Sequence, residues 1–466
     1  MSSIRGGRRV ARVLEARWCI GAAAAAALVF ATAPAAYAKH VKRERLPVLL
    51  VHGFESAGSN YASQAMRFES NGYPTTWVET LDYNSTAATG NMSEVEKQIE
   101  EAIAHLKQVS GKSKVDLVGH SEGTSVDYHY LAESEKAAEH RASVAAYANL
   151  DGQEKNPGVR TLAVWAGRCP PPEGTATCKP ESPRHMEGAE NVFIPNATHV
   201  QTSTSALTFQ DMYKFFTGKM PKRDIKAARK RETIQLAGKA LEFPQNTALT
   251  GDTVEVWPLN EEGLRTTKTP IYKTVITSTG VGAGEWGPVT AKPYQRYEFA
   301  LVGTESKTLH VYMEPFVRSD YEIRLLNSTA IGTASGKFPK SSGAVMIRYK
   351  EYWGNVPGEN DELLVNGLNV CTASLCPFHK EVNAYFVLNW EGKEESTLKE
   401  EPALSALPFI QAAQVFIPGS EPPTAIVKYQ LKSRTGGGLR TLDVPNWEGT
   451  KNQAEIFWND FESLKF

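Results

Sequence analysis

The pentapeptide Gly119-His120-Ser121-Glu122-Gly123 sets a serine between two glycines, directly after the apolar run Val115-Asp116-Leu117-Val118 and ahead of a stretch that reads as helix. A serine hydroxyl is a poor nucleophile until a base takes its proton. It must also stand on a turn tight enough to lift it clear of the sheet edge. Glycines on both sides permit that turn because they lack Cβ atoms. The pattern G-x-S-x-G alone arises easily in a chain with 36 glycines; the strand before it and the helix after it give it weight. The helix would aim free N–H groups and the positive end of its dipole at the serine.

A strand–turn–helix of this kind calls for an acid and then a histidine downstream, the histidine on a loop after the last strand. Of His129, His140, His185 and His199, only His199 follows a strand (Glu190–Ile194) and precedes a closing apolar helix. His129 and His140 fall in or beside the helical stretch after the serine. The acid must hold the imidazole in one tautomer and stabilise its charged form. Asp151 follows the apolar run Val144–Leu150 and precedes Gly152, at a strand C-terminus where α/β sheets build their sites. Glu173, after the next strand, is the rival, and an Asp-Gly turn without chemistry is the plainer reading of Asp151. Asp127 lies six positions beyond the serine on one helix and faces elsewhere. The oxyanion of an acyl-transfer intermediate needs two backbone donors. The N–H of Glu122 is one; the loop His52-Gly53-Phe54 after the first strand supplies the other, from Phe54. His52 and His120 read as loop-packing residues.

The elements that must position these groups alternate. Leu46–Val51 is continuously apolar, as in a strand buried on both faces. Asn60–Phe68 reads as a helix, Thr75–Leu81 as a strand, and Ser93–Val109 as a helix with Val95, Ile99, Ile103 and Leu106 on one side. Further strands follow at Val144–Leu150, Arg160–Trp165 and Glu190–Ile194, and an amphipathic helix closes the run near Phe216. This implies a doubly wound, mostly parallel sheet over residues 39–224. The basic stretch Lys222–Arg231 reads as a linker or a charged helix end. Beyond it strands alternate without helices, as in Thr253–Trp257, Tyr297–Val302 and Ala344–Tyr349. That all-β region is too long for one small sandwich. It reads as two β-sandwich-like modules, 225–335 and 336–466, with a joint at Gly332–Gly336.

Residues 1–38 read as a signal peptide. Arg5, Arg8, Arg9, Arg12 and Arg17 precede the apolar stretch Cys19–Ala33, and Ala36-Tyr37-Ala38 is a small-x-small cleavage site, so the mature chain is expected to begin at Lys39 outside the cell. The plainer alternative is an uncleaved anchor. Export favours two local disulfides, Cys169–Cys178 and Cys371–Cys376, over a single metal site built from all four thiolates. No metal or other cofactor is implied. The net charge of −1, with no basic patch interleaved with aromatics, argues against nucleic acid as a partner, and no stable protein partner is implied.

Val51-His52-Gly53-Phe54, Gly119–Gly123, Leu150-Asp151-Gly152 and His199 together resemble secreted bacterial lipases of the α/β-hydrolase superfamily. Glu285–Val289, Tyr297–Phe299 and Glu314–Tyr321 are similar to the C-terminal modules of Archaeoglobus-type lipases and their actinobacterial relatives. The resemblance implies an α/β hydrolase with a β region that helps hold lipid, Ser121, Asp151 and His199 as triad, and Phe54 and Glu122 as oxyanion donors. The segments His52–Ser121 and Ser121–His199 are too short for a long helical lid, so either the β modules cover the site or it is open. The expected activity is hydrolysis of acylglycerols or other long-chain esters through an acyl-enzyme. A polyester or cutin esterase, or an inactive surface protein that binds lipid or glycan, are the alternatives. The β region, with Trp257, Trp286, Tyr297, Phe299, Tyr312 and Phe316, is expected to border the Ser121 cleft and extend its acyl groove.

Overall fold

The computed structural model describes residues 43–86, 90–167, 184–277, 282–303, 306–328 and 338–459. The leader, Glu173, the Cys169–Cys178 pair and the Gly332–Gly336 joint lie outside these residues. Among them, no helix is long and apolar enough to cross a membrane.

The first layer is a six-stranded sheet in the order β2-β1-β3-β4-β5-β6, with β1 at Val48–Val51, β2 at Val78–Leu81, β3 at Val115–His120, β4 at Val144–Leu150, β5 at Thr161–Ala166 and β6 at Glu190–Ile194. All its pairings are parallel. Every residue of β1 and β3 is buried, which explains their apolar runs, since helices cover both faces. β2 starts three residues later than its sequence suggests. Pro74 cannot continue a ladder, and Trp77 N–H donates to its carbonyl (2.9 Å), turning Thr75–Trp77 into a 3₁₀ turn.

Helix α1 (Ala62–Ser70) follows a 3₁₀ turn at Gly58–Tyr61. Helix α2 (Met92–Ser110) buries Val95, Ile99, Ala102, Ile103 and Leu106, one stripe at helical spacing. α3 (Glu122–Tyr128) leaves the serine turn, and α4 (Ala137–Ser143) leads into β4. The short α5 (Gln201–Thr204) and longer α6 (Ala206–Thr217) follow β6. The chain goes from β1 to β2 on one side and to β3 on the other, so the crevice at the C-terminal ends of β1 and β3 is the switch point where such sheets hold ligands.

After α6 the basic stretch runs without helix or strand along α1, where Arg67 pairs with Asp224 (2.6 Å). The remainder is mostly antiparallel β-structure. One eight-stranded sheet spans both expected modules. It runs Tyr272–Val275, Thr253–Leu259, Arg296–Val302, Thr308–Met313, Asn452–Phe457, Ala344–Ile347, Ala384–Leu388 and Ile410–Gln414. Thr308–Met313 and Asn452–Phe457 pair in parallel across the expected border at 335, so the two sandwich halves share a sheet and neither presents a free edge to the other. A smaller sheet containing Ile234–Glu242 covers the first half, and one containing Ile426–Lys432 covers the second. Cys371 and Cys376 are bonded, with Cα atoms 5.2 Å apart.

The β region docks on the hydrolase sheet through buried polar contacts. Arg324 Nε donates to both oxygens of Asp82 (3.1 and 3.0 Å), and its Nη2 reaches Thr80 (2.7 Å) and Glu322 (3.0 Å). Lys239 adds an ion pair to Asp82 (3.3 Å). Burial alone would raise the Asp82 carboxyl, but Arg324 and Lys239 hold it well below the usual carboxylate range. Asn246 of the β region donates to Ser56 O (2.8 Å) and Tyr83 O (2.9 Å), tying down the loops after β1 and β2.

Candidate functional site

Ser121 caps α3 with φ 53° and ψ −121°, a conformation rarely taken by a residue bearing a Cβ. The turn is so tight that its flanks exclude side chains. A Cβ at Gly119 would lie 2.2 Å from Asp127 Oδ2, and one at Gly123 2.5 Å from the carbonyl oxygens of both Val51 and His52. The glycine spacing is therefore a steric requirement of packing β3 and α3 against the loop after β1.

His199 brings the expected groups together. Its Nε2 is 2.9 Å from Ser121 Oγ, and its Nδ1–H donates to Asp151 Oδ2 (2.7 Å). Asp151 stands at the end of β4 with φ 52°, its own N–H given to Val164 O (2.8 Å). The Ala166 N–H (3.1 Å) and Arg184 (3.3 Å) bond its other oxygen, so this buried carboxylate is held from several sides. Burial pushes Asp151 up, but the bond from His199, its charge and Arg184 win, leaving it below its ordinary value. Burial pulls His199 down; the bond and charge of Asp151 outweigh this, with Glu381 adding, and leave it raised.

The other histidines near the site hold the frame. His120 Nε2–H donates to His199 O (3.0 Å), fixing the loop that carries His199, and burial lowers its pKa to about 3. His52 Nδ1–H donates to Gly53 O (2.7 Å), its ring stacks on Tyr83 at 4.4 Å, and burial lowers it to about 4. Both are neutral and structural, as the sequence suggested. Asp127 is buried behind Gly119, where burial raises it far above its ordinary value, and it does not join His199. His140 bonds Tyr130 O (2.7 Å) and Glu100 (2.9 Å) on α2. Glu96, Glu100 and His140 are close enough to share a cation, but Lys136 already pairs with Glu100 (2.9 Å).

Gly53 packs against the serine; a Cβ there would lie 2.9 Å from Ser121 Cβ. The next residue, Phe54, lines the serine pocket, and Glu122 directly follows Ser121 at the start of α3. Among the described residues, neither N–H has a protein acceptor. Phe54, Ser121 and His199 line one pocket, and Tyr349, Asn383 and Phe409 of the β region close its other side. The site is thus roofed by β structure in place of a helical lid. The loop carrying His199 is also held from that side, by the Thr198 hydroxyl, which donates to the buried Glu351.

Tyr349, Asn383, Phe409, Glu351 and Glu381 were not legible as site residues. They sit in β-region loops that reach the cleft only through domain docking, and no motif marks them. The β region borders the cleft as expected, but through other residues than its named aromatics: Trp286, Tyr297, Phe299 and Phe316 are core of the first sandwich half, Tyr312 of the second, and Trp257 is buried under Arg265 (4.0 Å). Sandwich sheets bury alternate residues against each other, and an aromatic in such a strand goes to that core by default.

Beside the serine pocket, and sharing Glu55, Ser56, Tyr349, Asn383 and Phe409 with it, lies a second, apolar pocket. It holds about 730 Å³ of space free of protein atoms, its open mouth included, and Phe243, Leu326, Val345, Ile347, Phe386 and Ile410 are among its apolar lining.

Residues 45–141 match the model of the class 2 lipases, residues 232–330 that of the lipase C-terminal domain, and residues 330–462 a further C-terminal-domain model. No curated protein matches the chain. Solved structures similar to it include lipase B of Aspergillus fumigatus, at 13% identity over 40% of this chain and 56% of that one with a TM-score of 0.30, and a Bacillus licheniformis lipase in its mature form, at 15% identity over 38% of this chain and 93% of that one with a TM-score of 0.29. A Bacillus subtilis carboxylesterase is 10% identical over 38% of this chain and 86% of that one, with a TM-score of 0.28. With a class 2 lipase segment on the six-stranded parallel sheet and a lipase C-terminal domain behind it, the chain belongs with the lipases and esterases of the α/β-hydrolase superfamily.

Proposed function

We propose that this protein is an exported serine carboxylic-ester hydrolase, a lipase acting on acylglycerols or other long-chain esters. The observation that carries the reading is the buried chain from Ser121 Oγ through His199 to Asp151, at 2.9 and 2.7 Å. Ser121 attacks the ester carbonyl while His199 Nε2 takes its proton. Asp151 keeps Nδ1 protonated and stabilises the imidazolium that forms. The Phe54 and Glu122 N–H groups receive the oxyanion of the tetrahedral intermediate. His199 then protonates the departing alcohol, leaving Ser121 acylated. Water, deprotonated by the same imidazole, attacks the acyl-enzyme and releases the acid.

Long acyl chains are favoured by the apolar pocket that continues from the serine pocket under the β region. Export rests on the Arg-rich start, apolar stretch and small-x-small site of residues 1–38. A fluorophosphonate probe should label the protein at Ser121 and fail to label Ser121→Ala. A series of p-nitrophenyl esters should show kcat/KM rising with chain length. Absence of labelling at Ser121 would sink the serine mechanism and favour a binding protein built on this fold.

A further inference from the structure

The strand Asn452–Phe457 runs between Thr308–Met313 and Ala344–Ile347 in the eight-stranded sheet. Side chains alternate along a strand. Ala454 and Ile456 belong to the core of the second sandwich half, so Gln453 and Glu455 point to the opposite face. That face is the wall of the apolar pocket. Val345 is the register partner of Glu455, Phe386 is the partner of Val345 one strand further, and all three line the cavity.

Glu455 is only 2% exposed, and among the described residues no cation and no hydrogen-bonding group meets its carboxyl. Burial alone raises its pKa to about 8, so at neutral pH it stands mostly protonated, able both to donate and to accept. The side-chain amide of Gln453, two residues away on the same face, also has no bonded partner among the described residues. The polar ends of both side chains open on the cavity, where an entering molecule can reach them. A cavity meant only for a hydrocarbon chain would line this wall with more valine and isoleucine. A plain acyl chain entering it would also displace any water from both groups and offer nothing in return.

We propose that the pocket takes an acyl chain that itself carries an oxygen, a hydroxyl or carbonyl several carbons from the scissile ester, and that Glu455 and Gln453 bind that oxygen. The inference rests on the ester-hydrolase reading above and narrows it to oxygenated acyl esters. Glu455 is a specificity residue; it touches the chain and not the reacting carbonyl.

The test is a positional series: p-nitrophenyl octadecanoate and its isomers bearing one hydroxyl at successive carbons, each measured as kcat/KM against the unsubstituted chain. In the wild-type protein the ratio should peak, roughly tenfold, over a narrow range of positions, the worth of one or two satisfied hydrogen bonds. Glu455→Leu should flatten that peak while raising turnover of the unsubstituted chain. A ratio that stays at or below one at every position overturns the inference. If p-nitrophenyl acetate turnover and fluorophosphonate labelling persist in that case, the ester-hydrolase reading stands without it. No turnover of any ester and no labelling overturns both. A peak unchanged in a folded Glu455→Leu overturns the assignment to Glu455. Should that variant not fold, the wild-type series alone decides.

Discussion

Replacing Ser121 by alanine removes the oxygen that His199 Nε2 reaches at 2.9 Å and leaves the turn around it intact. Ester turnover is expected to fall by about 10⁴–10⁶ with unchanged thermal unfolding, and retained activity would reject the nucleophile. Asp151→Asn should cost about 10⁴ in kcat, because an amide can neither hold the productive tautomer nor stabilise the imidazolium. The pH profile follows from His199. As a base it must be neutral, and its pKa is raised, first against burial by the bond and charge of Asp151 and then by Glu381. The acid limb of kcat/KM should therefore lie above pH 6.5, the ordinary imidazole value. Burial raises the Glu381 carboxyl to about 7, so it is only partly ionised there, and Glu381→Gln should move the limb modestly toward lower pH; a limb that does not move would show that the Glu381 charge is not felt at His199. At this scale the sequence was most informative. Ser121 and Asp151 directly follow strands and His199 stands on the loop after the last one, and strand ends are legible from apolar runs. Glu381 was not legible, because its closeness to His199 arises from a loop of the distant β region.

At the scale of elements, the turn between β3 and α3 depends on bare backbone at Gly123. Gly123→Ala would press a Cβ to 2.5 Å from two carbonyl oxygens of the loop after β1, which also carries Phe54. Relief requires α3 or that loop to shift, and either shift moves one of the two N–H groups, of Glu122 or Phe54, proposed to receive the oxyanion. We expect kcat to fall by at least about 10²-fold, with a smaller loss of melting temperature, since misplacement near 1 Å suffices for such a loss. Near-normal kcat would mean that the elbow is looser than its packing implies. Periodicity located α2 to within a residue at each end, because one clean apolar stripe specifies a helix. It overextended β2, where Pro74 and a local hydrogen bond override the strand-forming threonines and tryptophan.

For the whole molecule, the β region is part of the machinery as well as a flank to it. Asp82 is buried against Arg324 and Lys239, Asn246 secures the loops beside the serine, and Glu351 holds the neighbour of His199. Arg324→Met would leave the buried Asp82 with the Lys239 ammonium and the Gly58 N–H (2.8 Å) in place of a guanidinium held on both its oxygens. A loss of about 3–5 kcal/mol is expected, read as a lowered denaturant midpoint, because removing one partner of a buried charge is costly. A midpoint unchanged by this substitution would show that the interface network contributes no net stability. The same contacts mean that cutting the chain after α6 removes support from His199 itself, so such a truncation should depress short-ester as well as long-ester hydrolysis.

The sequence by itself located the glycine-flanked Ser121 turn, Asp151 after β4 and His199 after β6, the parallel sheet and the change to β structure near residue 231. Each of these is written in local contacts: glycine flanks, apolar periodicity, and residue types at strand ends. Only the tertiary structure decided that both β halves share one sheet, that β loops roof the serine, and that Glu455 faces an apolar pocket without a partner. Strand pairing across more than a hundred residues and the docking of two layers leave no local period to read. They depend on which faces fit once every strand is in register, and that is a property of the assembled surfaces.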